Sequence, residues 1–432
     1  MLLEFKTKNY KSFVEEASFS MVAAPKQKGL DYSLMKTKIK GKEIKGLSSS
    51  VIYGPNAAGK TNIIGAMDVL RSIVLRGNIR NSEEKSSPNP AASALELIPN
   101  NNESEAKPVC FEIEFYEEDG EEHKFKIHYE LQIDLGTFLE EEYQRKILAE
   151  VLEVNGERVF ERREGLKVEN LKVIKDYLSD ITEQNAESIN EIAKNSLNQE
   201  ELFLTNGFKL IFSPKFTKLI VDWFANKFMV IYRADSMQLI KRFADPKKKA
   251  VYVEKTTDEA AKLFGINSNA VGYVVSDDEP DAKLYSVFKN MKDQKTTAVA
   301  ADIFESYGTI RFINMFPLVI KAMQTGGTLV VDEFDASIHP MALMSIINVF
   351  HNDDVNIHHA QLVFNTHNPI FLNSNLFRRD EIKFVERDDD THDSVLYALS
   401  DFGTTGDKGV RKHEDYMSKY FISQYGAIKD ID

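Results

Sequence analysis

Apolar side chains recur at two spacings along the chain, and each spacing predicts one type of secondary structure. Residues 1 to about 24 nearly alternate between apolar and polar positions, as in LLEFKTKNYKSF and ASFSMVA, which predicts two short strands joined by a turn. The run SSSVIYG predicts a buried strand that ends at Gly54. In NIIGAMDVLRSIVLRG the apolar residues follow helical spacing instead, so a helix is expected there, with its end at Gly77.

The rest of the chain changes pattern twice. Alternating stretches between about 109 and 163 predict successive strands, with turns at Asp119-Gly120 and Asn155-Gly156. Residues 167 to about 230 have helical periodicity with charged residues on the opposing faces, which predicts an inserted helical section. From 296 to 375 helices are expected to alternate with buried strands, a pattern typical of α/β proteins.

Composition narrows the class of protein. The 432 residues include 54 Lys and Arg against 67 Asp and Glu, a net charge of -13, and 43% are hydrophobic, which excludes a wholly disordered chain. No run of 18 uncharged apolar residues occurs and the first residues are charged, so neither a membrane span nor a signal peptide is expected. The single cysteine, Cys110, fits a reducing cytoplasm. The acidic balance leaves room for a local basic face that binds DNA.

The sharpest signal for function is GPNAAGKT, which follows the predicted strand and precedes the predicted helix. It matches G-x-x-x-x-G-K-[ST] in the strand-to-helix context that a phosphate-binding loop requires. Lys60 is expected to neutralise the β and γ phosphates, and Thr61 offers a hydroxyl to Mg²⁺, while the glycines let backbone N–H groups point at phosphate oxygens. The residues predicted to bind ATP are Gly54, Pro55, Asn56, Ala57, Ala58, Gly59, Lys60, Thr61 and Asn62.

Two further strand ends bring polar side chains to the same expected edge of the sheet. The strand in GGTLVVDEFD places Asp332 and Glu333 at its carboxyl end, where ligands of open α/β sheets bind. We predict that Asp332 and Thr61 hold Mg²⁺, and that Glu333 orients and polarises the attacking water. His367, in VFNTHNP, is placed to reach a γ phosphate as a neutral imidazole. The predicted catalytic residues are therefore Lys60, Glu333 and His367.

These motifs, together with ESYGTIRF, carry a family resemblance. In chain order, GPNAAGKT, ESYGTIRF, LVVDEFDASIHP and FNTHNP resemble the Walker A, signature, Walker B with D-loop, and switch-histidine motifs of ABC-type ATPases, closest to the SMC and RecF-like branch. The opening KNYKSF resembles the first strand of those heads, where the equivalents of Asn9, Lys11 and Ser12 lie near the nucleotide.

The resemblance implies a fold and a division of the chain. The implied fold is an α/β P-loop NTPase of the ABC-type ATPase head, with an N-terminal strand-rich subdomain and an inserted helical section. Residues 1–163 would form the N-terminal part of the head with the Walker A motif, and residues 164–295 a mainly helical insert. Residues 296–432 would form the C-terminal part of the head, with the signature, Walker B and switch histidine.

The resemblance also implies how two copies would assemble. In that family two heads enclose ATP, and the signature of one subunit closes on the γ phosphate bound by the other, a role that falls here to Ser306, Gly308 and Thr309. Ser306 also fits an ordinary helix cap. Asp335 resembles the D-loop aspartate that bridges two heads, and it too could cap the following helix. A homodimer or higher homo-oligomer is expected.

Within this family the chain most resembles bacterial ABC-like AAA ATPases associated with anti-phage defence, including the abortive-infection, RloA and PARIS AriA types. The resemblance rests on ESYGTIRF, DEFDASIHP, NTHNP and the ending YFISQYGAIKDI. It implies a cytoplasmic ATP hydrolase that forms assemblies and controls a partner effector, often a nuclease of the TOPRIM class. From the residues alone, the prediction extends to nucleotide hydrolysis, with ATP or GTP as the substrate, and to ATP-dependent association.

Two other functions stay open. A DNA-repair or DNA-clamp ATPase of the RecF or SMC type would use basic residues, for which the candidates are Arg233, Lys241, Arg242, Lys247 to Lys249 and the stretch from Lys36 to Lys45. A nuclease within this chain would need a metal site, for which the candidates are Glu386, Asp388, Asp389 and Asp390. That acidic cluster is more typical of a charged turn at the end of an edge strand, and the chain after His367 is short for a separate domain.

Overall fold

A computed structural model describes the fold over most of the chain. The described residues are 1–25, 27, 29–39, 41–81, 95–101, 105–120, 123–138, 140, 143–179, 186–195, 197–232, 270–274, 283–289, 296–336, 338–404, 409–411 and 414–427. The strands are β1 (Leu2–Lys8), β2 (Ala17–Ser20), β3 (Leu34–Ile39), β4 (Lys42–Leu47), β5 (Ser49–Tyr53), β6 (Val109–Asp119), β7 (His123–Asp134), β8 (Lys146–Val154), β9 (Glu157–Arg162), β10 (Leu166–Val168), β11 (Phe228–Ile231), β12 (Ala270–Val274), β13 (Lys283–Lys289), β14 (Thr296–Ala300), β15 (Thr328–Val331), β16 (Gln361–Asn365), β17 (Ile382–Arg387) and β18 (Ser394–Ala398). The α-helices are α1 (Lys60–Arg76), α2 (Ala186–Asn195), α3 (Lys209–Ile211), α4 (Pro214–Asp222), α5 (Ala301–Phe304), α6 (Tyr307–Thr325), α7 (Pro340–His351) and α8 (Tyr416–Phe421).

A seven-stranded antiparallel sheet contains most of the N-terminal strands, in the order β10-β9-β8-β7-β6-β1-β2. The two strands predicted at the start of the chain are present, and they pair antiparallel. Strand β1 ends at Lys8, because Asn9 and Lys11 adopt left-handed backbone conformations with φ of 52° and 50°. The hairpin predicted at Asn155-Gly156 is also confirmed. Both of its residues have positive φ, as a two-residue turn between twisted strands requires.

A six-stranded sheet, in the order β11-β15-β16-β5-β17-β18, forms the centre of the fold. Its first five strands are parallel and β18 pairs antiparallel with β17. The carboxyl ends of β5, β15 and β16 therefore meet at one edge. The three segments predicted to carry the nucleotide chemistry leave the sheet at this edge, as the sequence indicates.

The inner strands of the central sheet are buried on both faces, as is β11, which explains why β11 and β15 are nearly continuous apolar runs. Along β5, Ile52 packs into a core shared with α1 and the seven-stranded sheet, whereas Val51 and Tyr53 pack into a second core with α6 and α7. This division follows from the two-residue repeat of a strand. Helix α1 ends at Gly77, which has a left-handed conformation, as predicted.

The segment expected to be a mainly helical insert contains helices and strands. Residues 228–231 form β11, a strand of the central sheet, and residues 166–168 form β10 of the seven-stranded sheet. The run predicted as helical near Val173 is a 3-10 helix over Leu171–Tyr177, while α2 and α4 agree with the helical prediction. A buried four-residue run such as FMVI fits a strand and a helix equally well by its pattern.

A small antiparallel sheet of β12, β13 and β14 precedes the signature segment. Strand β14 was expected to be helical, because the predicted α/β alternation begins at residue 296; the first helices there are α5 and α6 instead. In the part of the chain that the structure describes, every helix is too short or too polar to cross a membrane.

Candidate functional site

The P-loop lies between the end of β5 and the start of α1. A Cβ on Gly54 would come 2.2 Å from the carbonyl oxygen of Val385, and one on Gly59 would come 2.8 Å from Ser12 Oγ. Both residues also have positive φ, so the loop needs glycine at these positions for conformation and for space. The first N–H groups of α1 have no acceptor within the helix, and phosphate oxygens can accept from them.

Lys60 is the first residue of α1, and its side chain folds back over the loop. Its Nζ donates hydrogen bonds to the carbonyl oxygens of Gly54 at 2.7 Å and Pro55 at 2.8 Å. Burial lowers the pKa of Lys60 to about 8, although nearby carboxylates, led by Asp332, oppose this shift. The ammonium group is thus held at the loop by neutral carbonyls, which phosphate oxygens can replace as stronger acceptors.

Thr61 and Asp332 meet at the mouth of the P-loop. The Thr61 hydroxyl donates to Asp332 Oδ1 at 3.1 Å, and the side-chain amide of Asn365 donates to the same oxygen at 2.6 Å. Asp332 and Asn365 are buried, so this arrangement is held firmly. A hydroxyl and a carboxylate, completed by phosphate oxygens and water, are the ligands that Mg²⁺ prefers.

Glu333 is exposed to solvent, but its backbone is held at both ends. Its N–H donates to Asn365 Oδ1, and its carbonyl oxygen accepts a hydrogen bond from Arg311 Nη2 at 2.6 Å. Glu333 has a φ of 50°, a left-handed conformation that is costly for a residue other than glycine. These contacts fix where the carboxylate leaves the loop while its oxygens stay accessible to water.

His367 and Asp335 lie in the loops that follow β16 and β15. Partial desolvation of the His367 ring, which stays exposed on one side, is the larger cause that lowers its pKa, and the Lys60 charge is the second. This shift favours the neutral imidazole at pH 7. Asp335 Oδ2 accepts a hydrogen bond from Thr366 Oγ1 at 2.6 Å. Asp335 does not cap the following helix, because His339 occupies the N-cap of α7 and accepts the N–H of Met341 through Nδ1.

The signature segment starts helix α6. Ser306 is the N-cap, its Oγ accepts the N–H of Thr309 at 3.1 Å, and the two hydroxyl groups lie 2.8 Å apart. The cap expected as one interpretation of Ser306 is therefore present. Ser306 and Tyr307 are both exposed, so a second molecule can approach this helix end.

The N-terminal segment borders the P-loop through Ser12. Ser12 Oγ accepts a hydrogen bond from the side-chain amide of Asn62 at 2.8 Å. Lys11 Nζ instead pairs with Glu96 Oε2 at 2.6 Å, and Asn9 donates to the carbonyl oxygen of Lys107. Of the three residues expected near the nucleotide, Ser12 thus has a hydrogen bond that connects it to the P-loop.

The acidic cluster after β17 forms a turn. Asp388 Oδ1 accepts the N–H groups of Asp390 at 2.9 Å and Thr391 at 2.7 Å. This confirms a charged turn, but β17 is an interior strand between β5 and β18, so the edge strand is β18. In the described ranges no group of three His, Cys, Asp or Glu side chains is arranged to hold a metal ion.

Three residues that sequence reasoning missed support the site. Asn365 joins Asp332 to Glu333, Arg311 holds the Glu333 carbonyl, and Ser394 Oγ donates to the carbonyl oxygen of Ala58 at 2.6 Å. Asn365 carries a signal, since it is a polar residue at the carboxyl end of an apolar strand. The contacts of Arg311 and Ser394 depend on tertiary packing and leave no local pattern.

If Asp332 holds Mg²⁺ as predicted, replacing Asn365 with alanine should lower the kcat of ATP hydrolysis about 10- to 100-fold, the usual effect of removing an outer-shell partner of a metal ligand, while ATP affinity changes little. The variant leaves the Glu333 N–H without its acceptor, so, on the prediction that Glu333 orients the attacking water, that water would be less well oriented. Steady-state ATP hydrolysis and a separate ATP titration measure the two effects.

Asn356→Ala is the matched control for Asn365→Ala. Asn356 is also buried, and its side chain hydrogen-bonds backbone groups of Phe350 and Ala360 away from the P-loop. Both variants should lower the thermal unfolding temperature, but only Asn365→Ala should lower kcat. An equal loss of kcat in the two variants would assign Asn365 a purely structural role.

Comparison with known proteins supplies a family. No curated protein sequence matches the chain. Among solved structures, an SMC head domain from Thermotoga maritima is similar over 92% of this chain and 98% of that chain, with 15% identity and a TM-score of 0.38. An Smc head domain with an extended coiled coil bound to the C-terminal domain of ScpA, from Pyrococcus furiosus, is similar over 92% and 96%, with 12% identity and a TM-score of 0.39.

A family profile described as "AAA domain, putative AbiEii toxin, Type IV TA system" matches residues 49–373. The matched range begins at β5 and extends past His367, so it contains the P-loop, the signature segment, Asp332 and Glu333. The expected α/β P-loop ATPase fold is confirmed. The chain belongs to the AAA domain family of the putative AbiEii toxin of type IV toxin–antitoxin systems.

Proposed function

We propose that this protein hydrolyses ATP with Mg²⁺. The observation that carries the proposal is the contact of Thr61, Asp332 and Asn365 at the mouth of a P-loop whose lysine is already in place. Thr61 and Asp332 would hold Mg²⁺, which neutralises charge on the β and γ phosphates when bound. ATP hydrolysis by the purified chain, lost when Mg²⁺ is chelated, tests the proposal; an inactive but folded homo-oligomer would contradict it.

In the proposed reaction each residue at the strand ends has a separate role. Lys60 moves from its carbonyl acceptors to the β and γ phosphates, where its positive charge stabilises the transition state. Glu333 accepts a proton from the attacking water and orients it toward the γ phosphate. His367, as a neutral imidazole, donates a hydrogen bond to a γ-phosphate oxygen. Asn365 and Arg311 position Glu333 by holding its backbone.

We further propose that hydrolysis takes place between two copies of the chain. Ser306, Glu333 and His367 are all exposed in one copy, whereas efficient hydrolysis needs water to be largely excluded. Exposed apolar side chains flank the signature, the D-loop and the switch histidine: Ile303, Phe304, Tyr307, Met341 and Ile370. A second copy placed over this face would cover them and bring Ser306, Gly308 and Thr309 to the opposite nucleotide, with Asp335 near the interface.

Ser306→Arg should abolish ATP-dependent association while ATP binding by each copy persists. The arginine would occupy the space that the opposing phosphates need and remove the cap of α6. Light scattering of the chain with ATP and Mg²⁺ measures the association. The chain carries Glu333→Gln in this experiment, so that ATP is hydrolysed slowly. Ser18→Arg, at the exposed position of β2, adds the same charge elsewhere and should associate normally. Association of Ser306→Arg at the unaltered affinity would refute the two-copy arrangement.

We propose that the assembly controls a partner effector in anti-phage defence, with a TOPRIM-class nuclease as the first candidate. Support comes from the resemblance of the motifs to defence ATPases and from the family description, which names a putative toxin of a toxin–antitoxin system. Affinity purification of Glu333→Gln from its native host, with ATP and Mg²⁺, should recover a stoichiometric protein. Lys60→Ala, purified in parallel, should lose a partner that recognises the ATP-bound assembly.

A DNA clamp is the second candidate function. Lys36, Lys38, Lys42 and Lys45 are exposed on the β3–β4 hairpin. Lys36 lies directly opposite Lys45, whose charge is paired with Glu43 at 3.4 Å, and phosphate groups would bind the remaining lysines. The other basic candidates, at residues 233 to 249, lie outside the described residues. Recovery of DNA without a protein partner, with affinity that falls steeply as salt rises, would favour the clamp over the effector proposal.

A further inference from the structure

A cavity of about 770 Å³ lies across the central sheet from the P-loop. Gly326 and His358 line it, and these residues precede β15 and β16, so the cavity opens at the amino ends of the strands. The carboxyl ends of the same strands lead to Asp332 and Asn365. Because β15 has four residues, the strand separates the two places by about 13 Å. The cavity is therefore distinct from the nucleotide site.

Three parts of the fold meet at this cavity. Lys36 comes from β3, Lys124 from β7, and Lys227 from the π-helical turn that precedes β11. Ligand sites in proteins occur preferentially at such junctions, and they have volumes of roughly 300–1,000 Å³. The cavity has the size of a site for a small molecule.

The charges around the cavity favour an anion. Lys227 Nζ pairs with Glu117 Oε1 at 2.6 Å, so these two charges compensate each other. Lys36 and Lys124 are exposed, and neither ammonium group has an ion-pair partner among the described residues. The imidazole of His358 also lines the cavity, and its ring N–H is a further hydrogen-bond donor. Glu118 also lines the cavity and lies opposite Lys124 across the β6–β7 pair, so the lining has three lysines against two glutamates. With the histidines neutral this leaves one positive charge, held chiefly by Lys36, which favours a phosphate group on a chain with a net charge of -13.

Glu117 adds a second requirement on the ligand. The residue is 5% exposed, and its Oε2 has no hydrogen-bond partner among the described residues. Its neighbour Glu118 differs, because Glu118 Oε2 accepts the Tyr116 hydroxyl at 2.7 Å. Buried carboxylate oxygens are normally hydrogen-bonded, so Glu117 Oε2 is suited to accept from a hydroxyl or amino group of a bound molecule.

The geometry points to a second ligand site in this cavity, for a phosphorylated small molecule that carries a hydroxyl or amino donor and has the size of a nucleoside monophosphate. Lys36 and Lys124 hold the phosphate, and Glu117 accepts from the donor. A concave site of this volume fits such a molecule better than it fits the continuous backbone of a duplex.

The test is a calorimetric titration of AMP into the full chain carrying Lys60→Ala, which removes the P-loop cation. A variant that also carries both Lys36→Ala and Lys124→Ala should bind AMP at least about tenfold more weakly, because it loses two charged contacts with the phosphate. Lys42→Ala, an exposed lysine at the start of β4 that does not line the cavity, is the matched control and should bind AMP like the parent. Orthophosphate should bind more weakly than AMP, because it cannot satisfy Glu117.

Several results would overturn the site. The proposal is refuted if AMP does not bind the folded Lys60→Ala chain. It is also refuted if Lys42→Ala weakens AMP binding as much as Lys36→Ala and Lys124→Ala do. Equal affinity for orthophosphate and AMP would refute the role of Glu117. Binding of a duplex oligonucleotide that depends equally on Lys42 and Lys124 would assign the lysines to a DNA surface instead. Because the P-loop is disabled throughout, none of these results depends on the proposed ATPase activity.

Discussion

Lys60→Ala should weaken ATP binding about 10- to 150-fold, since a charged hydrogen-bonding group contributes roughly 1.5–3 kcal/mol. The side chain is 4% exposed and already lies over the loop, held by the carbonyl oxygens of Gly54 and Pro55. Little conformational freedom is lost when ATP binds, so most of the electrostatic attraction contributes to affinity. Titration with a fluorescent ATP analogue measures the effect.

The control for Lys60→Ala must separate lost affinity from lost structure. Lys60→Met keeps the apolar part of the side chain and removes the charge, so it should unfold at nearly the same temperature as the parent while binding ATP as weakly as the alanine variant. Unaltered ATP affinity in both variants would refute the assignment of the P-loop.

The pH dependence of ATP affinity should reflect the titration of Lys60. Burial lowers its pKa to about 8, so the free chain holds a charged lysine below this pH and a neutral one above it. Phosphate oxygens favour the charged form. ATP binding above pH 8 should therefore take up a proton, and affinity should fall with rising pH by up to about tenfold per unit. Calorimetry in buffers of different ionisation enthalpy should detect this proton uptake in the parent chain and none in Lys60→Ala.

Glu333→Gln should lower kcat about 100- to 10,000-fold, the range expected for loss of a general base, with ATP affinity nearly unchanged. The amide keeps the size of the side chain and cannot accept the proton of the attacking water. The backbone contacts to Asn365 and Arg311 remain, so the loop should keep its conformation. Single-turnover hydrolysis separates the chemical step from product release.

Asp389→Asn is the matched control for Glu333→Gln, because it removes one exposed carboxylate charge at the turn after β17. It should hydrolyse ATP at the parent rate. In the Glu333→Gln variant, slower hydrolysis should also increase the fraction of ATP-bound pairs seen by light scattering. Full turnover by Glu333→Gln would reject Glu333 as the base and leave the rest of the site in place.

Much of the local structure could be predicted from the sequence, because short-range sterics determine it. Asn155 and Gly156 tolerate positive φ, which a two-residue hairpin turn needs, and Gly77 ends α1 for the same reason. Strand β11 could not be predicted in this way. FMVI is a short apolar run after a helix, and its parallel pairing with β15 made it a strand.

The same distinction between local and tertiary determinants applies to the candidate site. The sequence by itself determined the P-loop, because its glycines, Lys60 and Thr61 are contiguous and their conformation is local. It also placed Asp332 and His367 after buried strands. Only the tertiary structure decided that Asp332 contacts Thr61 and that Asn365 and Arg311 hold Glu333. Those contacts depend on the strand order β15-β16-β5 and on the packing of α6, which are set by burial of apolar faces between segments far apart in the chain.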